Sequence, residues 1–150
     1  MSTAADMSVE VLLNSENPEL VLKNMQPFID LMMNYECALM EIETKLKVLN
    51  TEFTLRHNRN PFESIKCRLK QPISIVRKMR KKGLDITIEN IENNLTDIAG
   101  IRVICSFPED IYTLADLLSG QDDINVVCVK VYIRNPKKNG YRSLHLIVEV

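Results

Sequence analysis

The sequence predicts an α/β protein, more closely an α+β one, with a mixed β-sheet flanked by helices and a long helix near the N-terminus. Three observations support this class. Apolar residues first recur at alternating spacings of three and four, which is typical of a long helix. Later segments alternate polar and apolar residues, as half-buried strands do. Helix-like segments separate these strands, as in folds that combine α and β structure.

The composition is that of an ordinary globular chain. Of its 150 residues, 45% are hydrophobic and 26% are charged, and the net charge is −1. Bulk charge therefore gives no reason to expect DNA or an acidic membrane as a partner. No apolar run is long enough to span a bilayer, and the N-terminus lacks the pattern of a signal peptide. We therefore predict a soluble, cytoplasmic protein.

The cysteines are predicted to be free and buried. Cys37, Cys67, Cys105 and Cys128 each lie in an apolar-periodic segment, and none forms a CxxC pair. A free cysteine behaves as a small buried hydrophobe. Metal ligation or a disulfide is the less favoured alternative.

We expect the first 16 residues to form a loose arm, and a long helical pattern begins at Pro27. Apolar residues spaced three and four apart form a continuous stripe along this helix, which we call the seam. Such a seam either packs along its own domain, which we favour, or joins two chains. We expect residues 1–59 to be an arm and a helix for packing or assembly, and residues 60–150 to carry the chemistry. The seam residues are Phe28, Met32, Tyr35, Leu39, Ile42, Leu46 and Leu49.

Strands and helices are predicted to follow one another after the long helix. Alternation of polar and apolar residues predicts a strand at 64–70, with Ile65, Cys67 and Leu69 on its apolar face. Pro72 is expected to begin a helix and Gly83 to end it. The remaining predictions are a helix at 86–95, a strand at 98–107, a helix at 108–118, a strand at 124–134 with Val127, Val129, Val131 and Ile133 on one face, and a strand at 142–150.

Cations cluster on the first strand and the helix after it. Arg68 and Lys70 share one strand face, and Ser74 and Lys78 lie four residues apart on one helix face. A tight turn joins the two elements, so their cations are aimed toward one region. Arginine can stack on a base or hold a phosphate, and lysine offers a point charge for phosphate. Solvated surface cations are the alternative.

The helix between Pro72 and Gly83 ends with Lys81 and Lys82. We interpret these two cations as complements of the helix dipole. Asp97 stands directly before an apolar strand. There it could hold Mg²⁺ at the edge of the sheet or only turn the chain.

A basic loop, K-K-N-G-Y-R-S-L-H, lies at residues 137–145 and leads into the last strand. The ring of Tyr141 can stack on a base, and cations on either side of it can neutralise phosphates. His145 shares a strand face with Tyr141 and Ser143. The alternative is a basic hairpin loop whose tyrosine folds into the core.

Three motifs follow one another along the chain: R-L-K-Q-P-I-S-I-V-R-K-M at 68–79, T-D-I-A-G-I-R-V-I-C at 96–105 and Y-I-R-N-P-K-K-N-G-Y-R-S-L-H at 132–145. In this order they resemble the synthetase domain of the (p)ppGpp synthetases, the bacterial alarmone or GTP pyrophosphokinase family. The resemblance runs from about residue 60 to the end of the chain and implies a nucleotidyltransferase-like synthetase fold. Because only a short helical region precedes the motifs, we expect no HD hydrolase domain. The chain therefore resembles the small, single-domain type, which forms homotetramers.

The resemblance implies transfer of the β,γ-pyrophosphate of ATP to the 3′-OH of GDP or GTP, with release of AMP, in the stringent response. It implies that Arg68 and Arg102 sandwich the adenine. Lys70, Ser74 and Lys78 would then bind the ATP phosphates. Phosphoryl-type transfer depends mainly on positioning and charge neutralisation, which suits a site rich in arginine and lysine.

The same resemblance implies roles for the acid and the basic loop. Asp97 would hold the Mg²⁺ cofactor, and it joins Lys78 and Arg68 as a catalytic candidate. Tyr141 would stack on the guanine of the acceptor nucleotide. The other residues implied for GDP or GTP binding are Lys137, Asn139 and His145.

The sequence departs from the family in two places. Family members carry a later E-x-Q-x-R-T motif whose glutamate is the second metal ligand, and Glu149 does not match it. Val131 stands where an acidic residue is expected. We expect a truncated synthetase, or else a degenerate protein that binds nucleotides without turnover. A non-catalytic nucleotide- or RNA-binding module is the alternative from another class, although the near-neutral charge argues mildly against RNA.

Overall fold

The computed structural model describes residues 16–133, 135–136, 138, 140 and 142–150, with the backbone alone for Pro18 and for residues 20–22. The predicted loose arm lies outside these residues. The chain combines a long N-terminal helix, shorter helices and short strands, which confirms the predicted fold class. The elements are α1 (Pro18–His57), β1 (Phe62–Leu69), α2 (Pro72–Lys81), α3 (Ile88–Asn94), β2 (Ala99–Cys105), α4 (Pro108–Ser119), β3 (Asn125–Val131) and β4 (Leu144–Glu149).

The chain divides into two compact units. The first unit contains the described residues up to Leu39 together with Arg68–Gly100. The second contains Met40–Cys67 and Ile101–Val150. Each unit buries its own cluster of apolar side chains.

Helix α1 is longer than the sequence predicted. It begins at Pro18, and Pro27 lies inside it. Of the seam, Met32, Ile42, Leu46 and Leu49 are buried, and the other three residues are half-buried. The seam therefore packs within the chain, as the favoured interpretation expected.

The core of the first unit is built around α2. Ile75 and Met79 lie four residues apart on this helix and are both fully buried. They pack with Ile91 of α3 and with Leu95 and Ile98, which flank the entry to β2. Because one face of α2 is buried in this way, its polar residues are left on the opposite face.

Gly83 ends α2 in a Schellman motif. Its amide donates to the carbonyl of Arg80 at 3.0 Å, and the amide of Leu84 donates to the carbonyl of Met79 at 3.1 Å. Gly83 has a φ of +69°, a conformation that glycine adopts without the strain a Cβ would bring. The predicted end of the helix is therefore confirmed.

The strands are arranged in two two-stranded sheets, β1 with β2 and β3 with β4. Strands β3 and β4 are antiparallel, with Asn125 opposite Glu149 and Val131 opposite Leu144. The register shifts between Val126 and Cys128, where the ladder is irregular.

Three of the β3 valines that the sequence placed on one face lie on a face that is exposed among the described residues. Val127, Val129 and Val131 are each more than two-fifths exposed, whereas Val126 and Cys128 are half-buried. Val126 packs against the core cluster of the second unit. Both faces of this strand carry apolar residues, so alternation alone did not identify the packed face.

An ion pair with a buried carboxylate links the segment after α1 to α4 in the second unit. Arg59 donates to both carboxylate oxygens of Asp110, at 2.7 and 2.6 Å. Asp110 is 2% exposed and Arg59 is 43% exposed. The guanidinium also lies 5.2 Å from the ring centres of Phe53 and Phe107. This cluster holds α4 against the segment that leads into β1.

The cysteines are free, as predicted, but not uniformly buried. Cys37 and Cys67 are exposed, and Cys105 and Cys128 are half-buried. The prediction of burial was therefore wrong for Cys37 and Cys67, because apolar spacing identifies a face and not whether another element covers it. None of the helices in the described part of the chain combines the length and apolarity needed to cross a bilayer.

Candidate functional site

The exposed face of α2 lines an open pocket in the first unit. The pocket has a volume of about 580 Å³, and all of its lining residues in the described part of the chain are cationic. Such a surface attracts ligands that carry several negative charges. The lining residues are Lys70, Arg77, Lys78, Lys81 and Lys82.

Two of these lysines converge on one carboxylate oxygen. The Nζ atoms of Lys70 and Lys78 each donate to Oδ2 of Asp97 at 2.8 Å. The side chains of Lys70, Lys78 and Asp97 are 10%, 35% and 48% exposed. We call these three residues the Lys–Asp–Lys bridge. Its two cations and one anion leave an excess of positive charge.

The backbone holds this bridge in place. The amide of Lys70 donates to the carbonyl of Ile98 at 2.7 Å, which places the Lys70 side chain beside Asp97. Leu95 and Ile98, on either side of Asp97, are buried in the core. Lys82 adds a longer contact, 3.5 Å from its Nζ to the carbonyl of Asn94. Asp97 is therefore presented from an anchored segment.

The bridge determines the ionisation of Asp97. Burial alone would raise the pKa of this carboxyl group, but the hydrogen bonds and charges of Lys70 and Lys78 outweigh burial and lower the pKa to about 2. Asp97 is therefore ionised throughout the physiological pH range. An ionised carboxylate is the form that a hard divalent cation binds.

Asp97 fits one part of a magnesium site. Both lysines contact Oδ2, so neither of these two bonds uses Oδ1. Mg²⁺ commonly takes one or two carboxylates and completes its shell with water and substrate phosphates. In the described part of the chain no cluster of three histidine, cysteine or acidic residues could hold a metal by itself. Among the described residues, Asp97 is therefore the candidate that could contribute one carboxylate ligand beside nucleotide phosphates.

The remaining residues predicted for ATP are placed as follows. Ser74 is half-buried on α2, one turn before Lys78. Arg68 is exposed near the end of β1 and belongs to the first unit. Arg102 is exposed on β2 and belongs to the second unit. The structure thus brings Lys70, Lys78 and Asp97 into direct contact.

The predicted acceptor loop is described in part. Lys137, Asn139 and Tyr141 lie outside the described residues. Gly140 has a φ of +83°, a backbone conformation that favours glycine. The loop is closed at its base, where the amide of Tyr132 donates to the carbonyl of Ser143 at 2.6 Å.

His145 lies just inside this base, on β4. Its Nε2 shares a hydrogen bond of 2.8 Å with the Ser143 hydroxyl, and its direction depends on the imidazole tautomer. The Tyr132 ring meets the imidazole edge-on, with ring centres 5.4 Å apart. The Ser143 and His145 side chains therefore lie on the same side of the chain, and Tyr141, predicted to share that face, lies outside the described residues. The imidazole is fixed from two sides.

Sequence reasoning did not include three of the pocket residues. Lys81 and Lys82 were interpreted only as complements of the helix dipole, and Arg77 was not considered. Helical spacing was the available signal: Lys82 lies four residues after Lys78, and Lys81 lies four after Arg77. Residues four apart share a helix face.

The comparisons with known proteins establish the class of this chain. Residues 67–150, more than half of the chain, match the region found in RelA / SpoT proteins. The chain belongs to this family. The family that the three motifs indicated is thereby confirmed.

Its relatives include small alarmone synthetases. The GTP pyrophosphokinase YwaC of Bacillus subtilis (strain 168) is 46% identical over 116 residues, which cover 77% of this chain and 55% of that protein. The crystal structure of small alarmone synthetase 2 from B. subtilis matches with a TM-score of 0.70 and 40% identity, over 83% of this chain and 62% of that one. The crystal structure of small alarmone synthetase 1 from B. subtilis, bound to its product pppGpp, matches with a TM-score of 0.70 and 34% identity, over 82% and 63% of the two chains. The chain spans about half the length of the curated relatives it matches.

Proposed function

We propose that this chain belongs to a GTP pyrophosphokinase that transfers the β,γ-pyrophosphate of ATP to the 3′-OH of GDP or GTP. The product would be (p)ppGpp, the alarmone of the stringent response. Support comes from the family match and from relatives that are named GTP pyrophosphokinases. The observation that carries the proposal is the cationic pocket of α2 with Asp97 at its edge.

The pocket suits the polyphosphate of ATP. Lys70 and Lys78 offer ammonium groups to the phosphate oxygens, and Ser74 offers a hydroxyl one turn along the helix. Arg68 and Arg102 are the proposed adenine contacts, because a planar guanidinium can stack on a base. Phosphates bound in this pocket would neutralise its excess of cations.

Mg²⁺ is the proposed cofactor, held by Asp97 together with phosphate oxygens. When bound, it would neutralise charge on the transferred group. Lys70 and Lys78 would add their own charges to the neutralisation of the ATP phosphates. Arg68 and Lys78 complete the proposed catalytic set with Asp97, because transfer of this kind depends on orientation and charge neutralisation.

The reaction forms one bond and breaks one. The 3′-oxygen of the acceptor attacks the β-phosphorus, the bond from that phosphorus to the α–β bridging oxygen breaks, and AMP leaves. The hydroxyl proton is released to solvent or to a base. Glu149 is not proposed as this base, since it lies on β4 and accepts a hydrogen bond from Asn125 at 3.1 Å.

The acceptor nucleotide, GDP or GTP, is proposed to bind at the basic loop of residues 137–145. Tyr141 is proposed to stack on the guanine, with Lys137, Asn139 and His145 around the nucleotide. The hydrogen bond to Ser143 and the contact with the Tyr132 ring support a fixed position for the His145 imidazole.

A homo-oligomer, with a tetramer as the expected form, and a cytoplasmic location remain part of the proposal. The seam of α1 is covered within the chain, so an assembly through this helix would use its opposite face. Met40, Val48 and Leu55 are exposed there, at 62%, 60% and 81%.

The test is production of AMP from ATP and Mg²⁺ by this chain, with and without GDP. AMP that forms only when GDP is present supports pyrophosphoryl transfer. Tight binding of ATP and GDP by a folded sample without AMP favours the non-catalytic nucleotide-binding module instead. Binding of single-stranded RNA without binding of ATP would favour the RNA-binding module.

A further inference from the structure

We infer that the Lys–Asp–Lys bridge closes the metal site of the nucleotide-free chain, so that a divalent cation is captured together with the triphosphate and not before it. The inference rests on the proposed role of Asp97 as a metal ligand. It adds a second role for Lys70 and Lys78: besides binding phosphates, they occupy the carboxylate until phosphates arrive.

The geometry supports occupation of the carboxylate. Two ammonium groups contact the same oxygen at 2.8 Å, and the Lys70 side chain is only 10% exposed. A divalent cation that approaches Asp97 would meet two positive charges already bound to it. Like charges at such short distances repel strongly at the low effective dielectric near a protein surface.

Charge exchange explains how the site would open. Triphosphate oxygens offer the lysines several negative charges in place of the single carboxylate. Lys70 and Lys78 lie on the same pocket that would receive them. As the lysines turn to phosphate, Oδ2 of Asp97 is released and two positive charges leave the carboxylate, so the cation can bind it while the phosphates supply further ligands. Metal and triphosphate would therefore bind with positive coupling.

The bridge also offers a matched control. Lys82 lines the same pocket, but its described contact is to the carbonyl of Asn94 at 3.5 Å and not to the carboxylate of Asp97. Lys82→Met removes one pocket charge and leaves the bridge intact. Lys78→Met removes the same charge and one bond to Asp97. Comparing Lys78→Met with Lys82→Met separates two effects on Mn²⁺ binding: the direct bond of a lysine to the Asp97 carboxylate, and the positive potential that every lysine adds to the pocket.

The experiment measures Mn²⁺ binding to the folded 150-residue chain without nucleotide, by electron paramagnetic resonance of the free ion. We expect Lys78→Met to tighten Mn²⁺ binding by about threefold to tenfold over wild type, since each exposed ion pair contributes modestly. Lys70→Met, a second and independent variant, should act in the same direction. Lys82→Met should change Mn²⁺ binding by less than about twofold. Lys82 contacts the Asn94 carbonyl and not the Asp97 carboxylate, so its charge acts on the metal site only through solvent and is screened by salt. Adding Asp97→Asn to Lys78→Met should abolish the gain.

A second arm follows the lysine ammonium groups by NMR. Adding a non-hydrolysable ATP analogue without a divalent cation should shift the signals of Lys70 and Lys78. Lys47, which pairs with Glu43 at 2.8 Å on α1, provides the reference signal and should not shift. Unchanged signals for Lys70 and Lys78, with the analogue shown to be bound, would overturn the exchange.

The outcomes separate the inference from the proposed function. If Mn²⁺ binding depends on Asp97 but wild type and the lysine variants bind it equally, the bridge does not close the site, and the proposed metal role stands. If Asp97→Asn changes Mn²⁺ binding in no background, with or without the ATP analogue, the metal role fails, and the inference fails with it.

Discussion

The ion pair between Arg59 and Asp110 allows a prediction whose size follows from the structure. Removing one partner of a buried pair leaves an uncompensated charge, which typically costs about 3–5 kcal/mol. Asp110 is 2% exposed, but Arg59 is 43% exposed, so water can enter after the guanidinium is removed. We therefore expect Arg59→Ala to lower the free energy of unfolding by about 3 kcal/mol, the lower end of that range.

Chemical unfolding followed by circular dichroism measures this change. The dependence of the unfolding free energy on denaturant concentration should be the same in each variant, so that the midpoints report stability. Arg56→Ala is the matched control, since Arg56 pairs with Glu52 one turn away on α1 and is 71% exposed. Pairs of that kind contribute about 0.3–0.5 kcal/mol. Arg59→Lys should fall between the two, because lysine keeps the charge and loses the two-pronged contact. Equal losses for Arg59→Ala and Arg56→Ala would refute the reasoning.

Three further predictions concern the first unit. The pKa of Asp97, about 2, lies below its ordinary value of 3.8, so the ionised carboxylate contributes stability above about pH 4 that is lost as the pH falls toward 2. Asp97→Asn should therefore flatten the plot of unfolding free energy against pH between about pH 4 and pH 2. Parallel plots for wild type and Asp97→Asn would contradict the lowered pKa. Met79→Ala should cost about 2–5 kcal/mol in urea unfolding, because the side chain is fully buried and its removal leaves a cavity; a loss under about 1 kcal/mol would mean that the core collapses around it. Gly83→Ala should cost about 1–2 kcal/mol through its left-handed backbone alone, as no atom lies within 4 Å of the added Cβ, and thermal unfolding that matches wild type would count against that conformation.

Local signals made α2 predictable from the sequence. Pro72 is favoured in the first turn of a helix, and Gly83 is favoured just beyond its end. The structure has α2 from Pro72 to Lys81, with Gly83 in the left-handed conformation. Each end of α2 is determined by the backbone conformation of a single residue, Pro72 at the start and Gly83 after the end. Neither prediction needed knowledge of the tertiary structure.

Other features depended on packing that the sequence does not record. Helix α1 continues through Pro27, although proline usually marks a helix start or a break. Cys67 shares the alternation of Ile65 and Leu69, yet it is exposed. Alternation gives the face of a residue, and only the tertiary arrangement decides which face is covered.

The candidate site shows the same division. Lys70 and Lys78 were expected to point toward one region, and the tight turn between their two elements made that predictable. The bonds from Lys70 and Lys78 to a single oxygen of Asp97 were not predictable. They depend on the backbone hydrogen bond from Lys70 to Ile98, a contact between residues distant in sequence.

The central claim is that the cationic pocket of α2 binds the phosphates of ATP, and equilibrium binding of a non-hydrolysable ATP analogue tests it most directly. Calorimetry would compare wild type, Lys78→Met and Lys47→Met. The last is the matched control because Lys47 pairs with Glu43 on an exposed face of α1. We expect Lys78→Met to weaken binding about tenfold or more, since a charge-assisted hydrogen bond to phosphate contributes about 1.5–3 kcal/mol. Lys47→Met should bind as wild type does. Equal affinities for all three proteins would contradict the claim.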